Sequence, residues 1–188
     1  MARTYQLKQR ARRQDETRAR IVEATIELHQ TIGPAATTVS DIAARAMVGR
    51  MTVYRHFPDE ITLARACSGL YMERHPLPDP GRWRGIADPT ERLRSALLET
   101  YAYHRANEAM FGHVLADARD HEVMLPYHQH FARATNVLLT GWRARGARRA
   151  RIRAAIALGL SFDTWRTLVE EQGLTHEQAV DLILRAAC

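Results

Sequence analysis

The stretch Thr37–Pro58 reads TTVSDIAARAMVGRMTVYRHFP and contains two short amphipathic segments separated by a turn. Thr38, with Asp41 three residues later, has the form of a capping box and predicts a helix that begins at once. The apolar pattern breaks at Met47-Val48-Gly49, after barely two turns. A second short helix is predicted over residues 50–57, with basic and polar side chains at its N-terminal end. Two short helices joined by a tight turn are typical of a helix-turn-helix unit, whose second helix fits the DNA major groove.

The segments on either side extend this unit. Residues 17–32 place apolar side chains at helical spacing, which predicts an amphipathic helix that Gly33-Pro34 ends. The inward positions are Ile21, Ala24, Thr25, Leu28 and Ile32. Pro58-Asp59 ends the recognition helix and caps a further one, so we expect a helical domain over residues 14–75.

A second helical domain is expected over residues 76–188. Six Pro and Gly residues fall between Pro76 and Pro89, which indicates a linker. Longer amphipathic helices follow near 90–105, 107–121, 124–144, 149–171 and 175–187. Since no alternating strand pattern occurs, the predicted fold is all-α: an N-terminal three-helix helix-turn-helix domain followed by a larger helical domain.

The net charge of +6 is concentrated at the N-terminus. Residues 1–13 contain four Arg and one Lys with no acid, whereas residues 14–75 sum to −1 and residues 76–188 to +2. Such a run predicts a flexible basic arm that either solubilises the chain or contacts DNA. With two Cys, no apolar run long enough to span a bilayer and no signal peptide, a cytoplasmic protein is expected.

The full string from Thr37 to Pro58, together with the helix from Thr17 to Gly33, resembles the DNA-binding domain of the tetracycline-repressor (TetR) family of bacterial regulators. The resemblance implies an all-helical homodimer that reads two half-sites of a palindromic DNA operator. It also implies that the larger domain is a ligand-binding and dimerisation domain. Its effector is a small molecule, largely apolar, whose binding releases a repressor from the operator. The DNA-contacting positions that it implies are Thr38, Ser40, Gly49, Arg50, Met51, Thr52, Tyr54, Arg55 and His56.

Four positions depart from the family pattern. Met47 stands where the turn usually has Gly, which predicts a different backbone there. Gly49 replaces the usual Ser or Thr cap, and Met51 replaces a small residue and could contact a thymine methyl. Glu60 stands where a phosphate-binding Lys is common, so the basic arm could supply the missing attraction.

The second domain offers candidates for an effector cavity and a dimer face, although ordinary core packing is an alternative for each. Aromatic and imidazole side chains are the cavity candidates: Tyr101, His104, Phe111, Tyr127, Phe131, Trp142, Phe162 and Trp165. The dimer candidates lie at helical spacing near the C-terminus: Ile156, Gly159, Leu160, Asp163 and Ile183.

Two other functions stay open. His113, Asp117 and His121 are spaced i, i+4 and i+8, a ligand set that zinc or nickel accepts, which would make the chain a metal-responsive regulator or a metal-binding interaction module. An all-α small-molecule-binding protein or enzyme is the other alternative. No nucleophile elbow, phosphate-binding Gly loop or His-Glu metal motif occurs, so no enzyme and no cofactor or metal is expected.

Overall fold

The structure, a computed structural model, describes residues 2–187, with side chains from residue 5 onward. All of its regular secondary structure over this range is helical and no strand occurs, which confirms the predicted fold class. The α-helices are α1 (Ala2–Thr31), α2 (Val39–Arg45), α3 (Arg50–His56), α4 (Glu60–Arg74), α5 (Pro80–Trp83), α6 (Pro89–Ala106), α7 (Glu108–Asp117), α8 (Leu125–Leu138), α9 (Gly146–Leu160), α10 (Phe162–Trp165) and α11 (His176–Ala187). A 3₁₀ turn spans Glu122–Met124, and a π-helical stretch spans Arg166–Glu171.

The chain divides into two compact units. The first contains the described residues through Pro76 together with Ala109–Val123, and the second contains Leu77–Glu108 and the described residues from Met124 on. We expected everything after residue 75 to form one domain, but the segment around α7 packs with the first unit. Met110 joins that unit's hydrophobic core, and Glu122 pairs with Arg65 at 2.6 Å.

The core of the first unit lies between α1, α2, α3 and α4. Ile21, Ala24, Thr25 and Leu28 are buried, as the helical spacing predicts. Ile32 is exposed instead, because α1 ends at Thr31 and the chain turns away before it.

The predicted basic arm is helical rather than irregular, since α1 begins at Ala2. Arg, Ala, Gln and Leu are all strong helix formers, and neither Gly nor Pro interrupts residues 2–13. Arg12 also pairs with Glu16 one turn later at 3.0 Å. A run of one charge therefore does not prevent helix formation where an existing helix can extend through it.

In the second unit, α6 packs against α9 and α11. A Cβ on Gly159 would lie 2.7 Å from Ile183 Cγ2, so the glycine allows α9 and α11 to approach closely. Thr175 and Gln178 form a capping box before α11, with hydrogen bonds of 2.9 and 3.2 Å.

Two predicted helices end early in this unit because side chains bind the carbonyls at their C-termini. His104 Nε2 lies 3.1 Å from the carbonyl oxygen of Leu160, and α9 ends there, so the helix expected over 149–171 is broken at Ser161. Trp142 Nε1 donates to the carbonyl of Leu138 at 3.0 Å, where α8 ends. These carbonyls would otherwise lack partners in the interior.

None of the helices in the described residues combines the length and the apolar character that crossing a membrane requires.

Candidate nucleic-acid interface

The turn between α2 and α3 is fixed by hydrogen bonds at both ends of α2. Thr38 Oγ1 accepts from the N–H of Asp41 at 3.2 Å, and the carboxylate of Asp41 accepts from the N–H of Thr38 at 3.0 Å, which confirms the predicted capping box. The hydrogen bonds from Thr38 lower the pKa of Asp41, so this carboxylate stays ionised and keeps its role as acceptor.

At the other end of α2, the N–H of Met47 donates to the carbonyl of Ala44 at 3.1 Å, and that of Val48 donates to the carbonyl of Ala43 at 2.9 Å. This pair of bonds is a Schellman motif, which needs a left-handed residue after the cap. Met47 takes that position with φ +53°. The expectation of a different backbone was therefore wrong: the turn keeps the geometry that glycine favours, and Met47 is strained in it.

Two apolar side chains hold α3 in place. Val53 and Phe57 are 1% and 2% exposed, and the guanidinium of Arg18 lies 4.6 Å from the centre of the Phe57 ring. Because both anchors lie on one side of the helix, the other side faces solvent.

The solvent side of α3 carries the predicted DNA-contacting residues. Met51 is 77% exposed and Tyr54 is 43% exposed, while Thr52 and His56 are half-buried beside them. Burial, followed by the charges of Arg55 and Arg18, lowers the pKa of His56, so its ring is neutral near pH 7 and can still donate one hydrogen bond. The exposed members of the predicted set are Thr38, Ser40, Gly49, Arg50, Met51, Tyr54 and Arg55.

This surface suits a DNA groove. The side chains from the first two turns of an exposed helix can reach base edges, and arginine can bind guanine through two hydrogen bonds. Thr, Ser, Tyr and a neutral His donate to phosphate oxygens, which positions the helix without reading sequence. The structure therefore presents as one exposed surface a set of residues that the sequence motif placed there.

Residues 21–67 match the model of the bacterial regulatory proteins of the tetR family, and this range spans α2, the turn, α3 and parts of α1 and α4. This segment of the chain is therefore a tetR-type domain. No curated protein matches it at a significant level.

The fold is shared with solved TetR-like proteins over most of their length. A TetR-like transcriptional regulator from Rhodococcus sp. RHA1 is 16% identical, with a TM-score of 0.59 over 91% of this chain and 93% of that one. A candidate fatty acid metabolism regulator of Clostridium perfringens is 18% identical, with a TM-score of 0.59 over 88% and 94%. A further TetR regulator from Rhodococcus sp. RHA1 is 21% identical, with a TM-score of 0.50 over 92% and 94%.

Most of the predicted cavity residues lie together in the second unit. His104 is the centre of the group, with ring centroids 5.5 Å from Phe162, 5.9 Å from Trp165 and 6.1 Å from Phe131. Tyr101 lies 6.5 Å from His104 on the same helix. We call these five residues the aromatic cluster.

The other cavity candidates are placed differently. Tyr127 packs against Phe131 with ring centroids 4.9 Å apart, at the edge of the cluster. Trp142 binds the end of α8, and Phe111 is buried in the first unit. His176 was not predicted, yet its ring lies 5.9 Å from Tyr101 and its Nε2 accepts from Trp165 Nε1 at 3.3 Å. Its position as the first residue of α11, outside the apolar pattern, gave no sequence signal.

The dimer candidates require a correction. Ile156, Gly159, Leu160 and Ile183 are buried within their own chain, so they do not form an exposed face for a partner subunit. Asp163 is half-buried and pairs with Arg166 at 3.5 Å. Helical spacing identified an apolar face correctly but not what covers it.

The histidine set does not form a metal site. α7 ends at Asp117, so His121 is not on the same helical face as His113. Asp117 instead accepts a hydrogen bond from the backbone of Ala35. Across the residues that the structure describes, no three His, Cys, Asp or Glu side chains are grouped in a way that could hold a metal ion.

Proposed function

We propose that this chain is a transcriptional repressor of the bacterial cytoplasm that binds a DNA operator through α3 and is released by a small-molecule effector bound in the second unit. The observation that carries the proposal is the exposed polar face of α3, held by Val53 and Phe57 within the segment that matches the family model. The effector is bound and not chemically changed.

The proposed DNA contacts divide by chemistry. Arg50 and Arg55 are exposed on opposite ends of α3 and are assigned to base edges, with guanine as the preferred target. Tyr54 and His56 are assigned to phosphates, and Met51 to a thymine methyl, since its side chain is exposed and apolar.

Thr38 and Ser40 lie at the start of α2, and both are exposed. We assign them to backbone phosphates on the edge of the groove. The hydroxyl of Thr38 donates its proton to Asp41 at 2.6 Å, so it binds a phosphate oxygen only when it exchanges this partner for the phosphate. Gly49 and Thr52 border the same surface, where a close approach of the sugar-phosphate backbone is sterically open at Gly49.

The proposed homodimer uses the outer faces of α9 and α11. These helices pack together, and each leaves one large apolar side chain exposed: Leu158 at 57% and Leu182 at 49%. A two-fold contact between such faces buries both leucines of each chain and presents two recognition helices to one DNA. A palindromic operator with half-sites about one helical turn apart follows from this symmetry.

The experiment that tests the proposal is a gel-shift titration of the full chain with the DNA upstream of its own gene. Arg50→Ala and Arg55→Ala should each weaken specific binding by about tenfold or more, because a bidentate arginine–base contact accounts for roughly 1–3 kcal/mol of discrimination. Arg133→Ala is the matched control, since Arg133 is an exposed arginine on α8 of the second unit, outside the proposed DNA and dimer surfaces.

Specific retardation that depends on Arg50 and Arg55 but not on Arg133 supports the proposal. If the wild-type chain retards this DNA no better than an unrelated sequence at the same salt concentration, the proposal is wrong.

A further inference from the structure

Three buried polar atoms on α6 have no hydrogen-bond partner among the residues whose side chains are described: Thr100 Oγ1, Tyr101 Oη and His104 Nδ1. All three side chains are 0% exposed. The spacing places Thr100 and His104 on one face of the helix, with Tyr101 beside them. Buried polar atoms without a partner are rare because each destabilises the fold, so three within five residues indicate partners from outside the chain.

These atoms lie in an aromatic environment. The ring of His104 is flanked by Phe162 and Trp165, and the ring of Tyr101 contacts His176 edge-on. Aromatic walls with a few placed polar groups are the usual composition of a small-molecule site, and flat rings stack favourably on such walls.

The hydrogen bond of His104 to Leu160 determines which atom it offers to a ligand. The Leu160 carbonyl can only accept, so Nε2 carries the proton and Nδ1 presents a lone pair. Burial lowers the pKa of His104 to about 4, so the ring is neutral near pH 7. A ligand therefore needs a hydrogen-bond donor at this point.

The hydroxyl groups beside it are more permissive. Burial raises the pKa of Tyr101, so its hydroxyl stays protonated and can donate or accept. Thr100 has the same two capacities. His104 Nδ1 can only accept a hydrogen bond, whereas the hydroxyls of Thr100 and Tyr101 can donate or accept one. A hydroxyl group on a ligand can therefore bind all three atoms, but a ligand carboxylate has no proton to donate to His104.

The charges around the cluster also disfavour an anion. Arg105, 5.2 Å from the ring centre of Trp165, pairs with Glu170 and Glu108. The guanidinium of Arg166 lies 5.8 Å from the ring centre of Phe162 and pairs with Asp163 and Glu171. Since acids already neutralise both arginines that stack on the cluster, a buried carboxylate would lack a counter-charge.

We propose that the aromatic cluster, with Thr100, binds a neutral aromatic molecule that carries a hydroxyl group, which donates to His104 Nδ1 and hydrogen-bonds to the hydroxyl of Tyr101. This inference rests on the proposed function in one respect, since it takes the second unit as the part of the chain that binds the effector.

The test uses 2-naphthol as a neutral hydroxylated probe and 2-naphthoate as its anionic counterpart. Calorimetric titrations with the full chain at pH 7 and without DNA should show 2-naphthol binding at least tenfold tighter than 2-naphthoate. Tyr101→Phe removes one oxygen and should weaken 2-naphthol binding by about three- to tenfold, as expected for the removal of one hydrogen bond. Tyr103→Phe, the same change two residues later on α6, is the matched control and should leave binding unchanged.

A thermal unfolding measurement excludes misfolding as the cause. Without ligand, Tyr101→Phe should melt at or above the wild-type temperature, because it removes an unpaired buried hydroxyl. The proposal is overturned if 2-naphthol does not bind, if 2-naphthoate binds as tightly, or if Tyr101→Phe and Tyr103→Phe bind 2-naphthol as the wild type does. None of these outcomes affects the gel-shift result, so a failure here is separable from a failure of the proposed function.

Discussion

The carboxylate of Asp117 accepts a hydrogen bond of 3.0 Å from the backbone N–H of Ala35, although 82 residues separate them in sequence. The bond ties the C-terminal end of α7 to the turn that follows α1. It is one of the contacts that hold residues 109–123 within the first unit. The first unit therefore contains a segment that the family motif at residues 21–67 does not include.

Gly33 is required by this contact, and its replacement tests how much the contact contributes. Gly33 has φ +85°, and a Cβ there would lie 2.6 Å from Asp117 Oδ2 and 3.2 Å from His113 Nδ1. Gly33→Ala should lower the free energy of unfolding by about 2 kcal/mol, roughly half from the left-handed backbone and half from displacing Asp117 from Ala35. Chemical denaturation followed by circular dichroism measures the change.

Gly173→Ala separates the two contributions. Gly173 has φ +71°, but a Cβ there would point into open space, so its variant should lose only the backbone share of about 1 kcal/mol. Equal losses at Gly33 and Gly173 would show that the hydrogen bond between Asp117 and Ala35 contributes nothing.

Met47 is the second strained position, and relieving it should stabilise the protein. It holds φ +53° at the end of α2 while its side chain is 79% exposed, so little packing is lost when the side chain is removed. Met47→Gly should raise the free energy of unfolding by about 0.5–1 kcal/mol. Met47→Ala shortens the side chain but keeps the strain, so the same denaturation experiment should show no gain for it; a gain of equal size for both variants would contradict a backbone origin.

The sequence was most informative where structure is local. The capping box at Thr38 and Asp41, the end of α1 before Gly33-Pro34 and the exposed face of α3 all depend on residues within two or three turns of one another. Such signals act through short-range hydrogen bonds and helical spacing, which a single sequence displays directly.

The failures came from contacts between distant residues. The helix predicted over 149–171 breaks at Ser161, where His104, 56 residues earlier, binds the carbonyl of Leu160. Helical spacing places Ile156 and Ile183 on an apolar face, and from this the sequence predicts a dimer face. Spacing does not show, however, what covers an apolar face. In the structure, other helices of the same chain cover that face.

The exposed leucines on α9 and α11 give a direct test of the dimer. Leu182→Glu and Leu158→Glu should each convert a dimer to a monomer, because a charge would be buried without a partner at the two-fold contact. Sedimentation velocity at micromolar concentration measures the mass. Leu125→Glu is the control: Leu125 is 55% exposed on α8 of the same unit, and its variant should remain dimeric. If all three variants sediment as the wild type does, the dimer face lies elsewhere.

His104 should make stability depend on pH in the acid range. Burial lowers its pKa from 6.5 to about 4, so the folded state stays unprotonated where the unfolded chain takes up a proton. The contribution of His104 to the free energy of unfolding is therefore fully present above pH 6.5. As the pH falls toward 4, this contribution decreases by up to about 3 kcal/mol. His104→Gln should flatten the dependence of the unfolding free energy on pH over this interval.

Other histidines contribute to the wild-type curve, so the comparison is between variants. Burial also lowers the pKa values of His29, His56 and His130, and these groups should give His104→Gln a residual dependence of the same sign. Gln129→Ala, a change at an exposed residue of the second unit that carries no titratable group, should keep the full wild-type dependence. A His104→Gln curve parallel to the wild type between pH 6.5 and 4 would contradict the assignment.

The basic extension of α1 is the remaining candidate for phosphate binding. Lys8, Arg10 and Arg13 are exposed on it, while residues 14–75, which include α3, sum to −1. Removal of residues 2–13 should reduce the slope of log K against log salt for operator binding by about 0.9 for each phosphate that the extension neutralises. Fluorescence anisotropy at several salt concentrations measures the slope. A control variant with Arg82, Arg84, Arg133 and Arg143 replaced by Ala removes a similar exposed charge from the second unit, outside α9 and α11, and should keep the wild-type slope. An unchanged slope after the deletion would exclude the extension from the interface, whereas equal reductions in both variants would indicate a general effect of net charge.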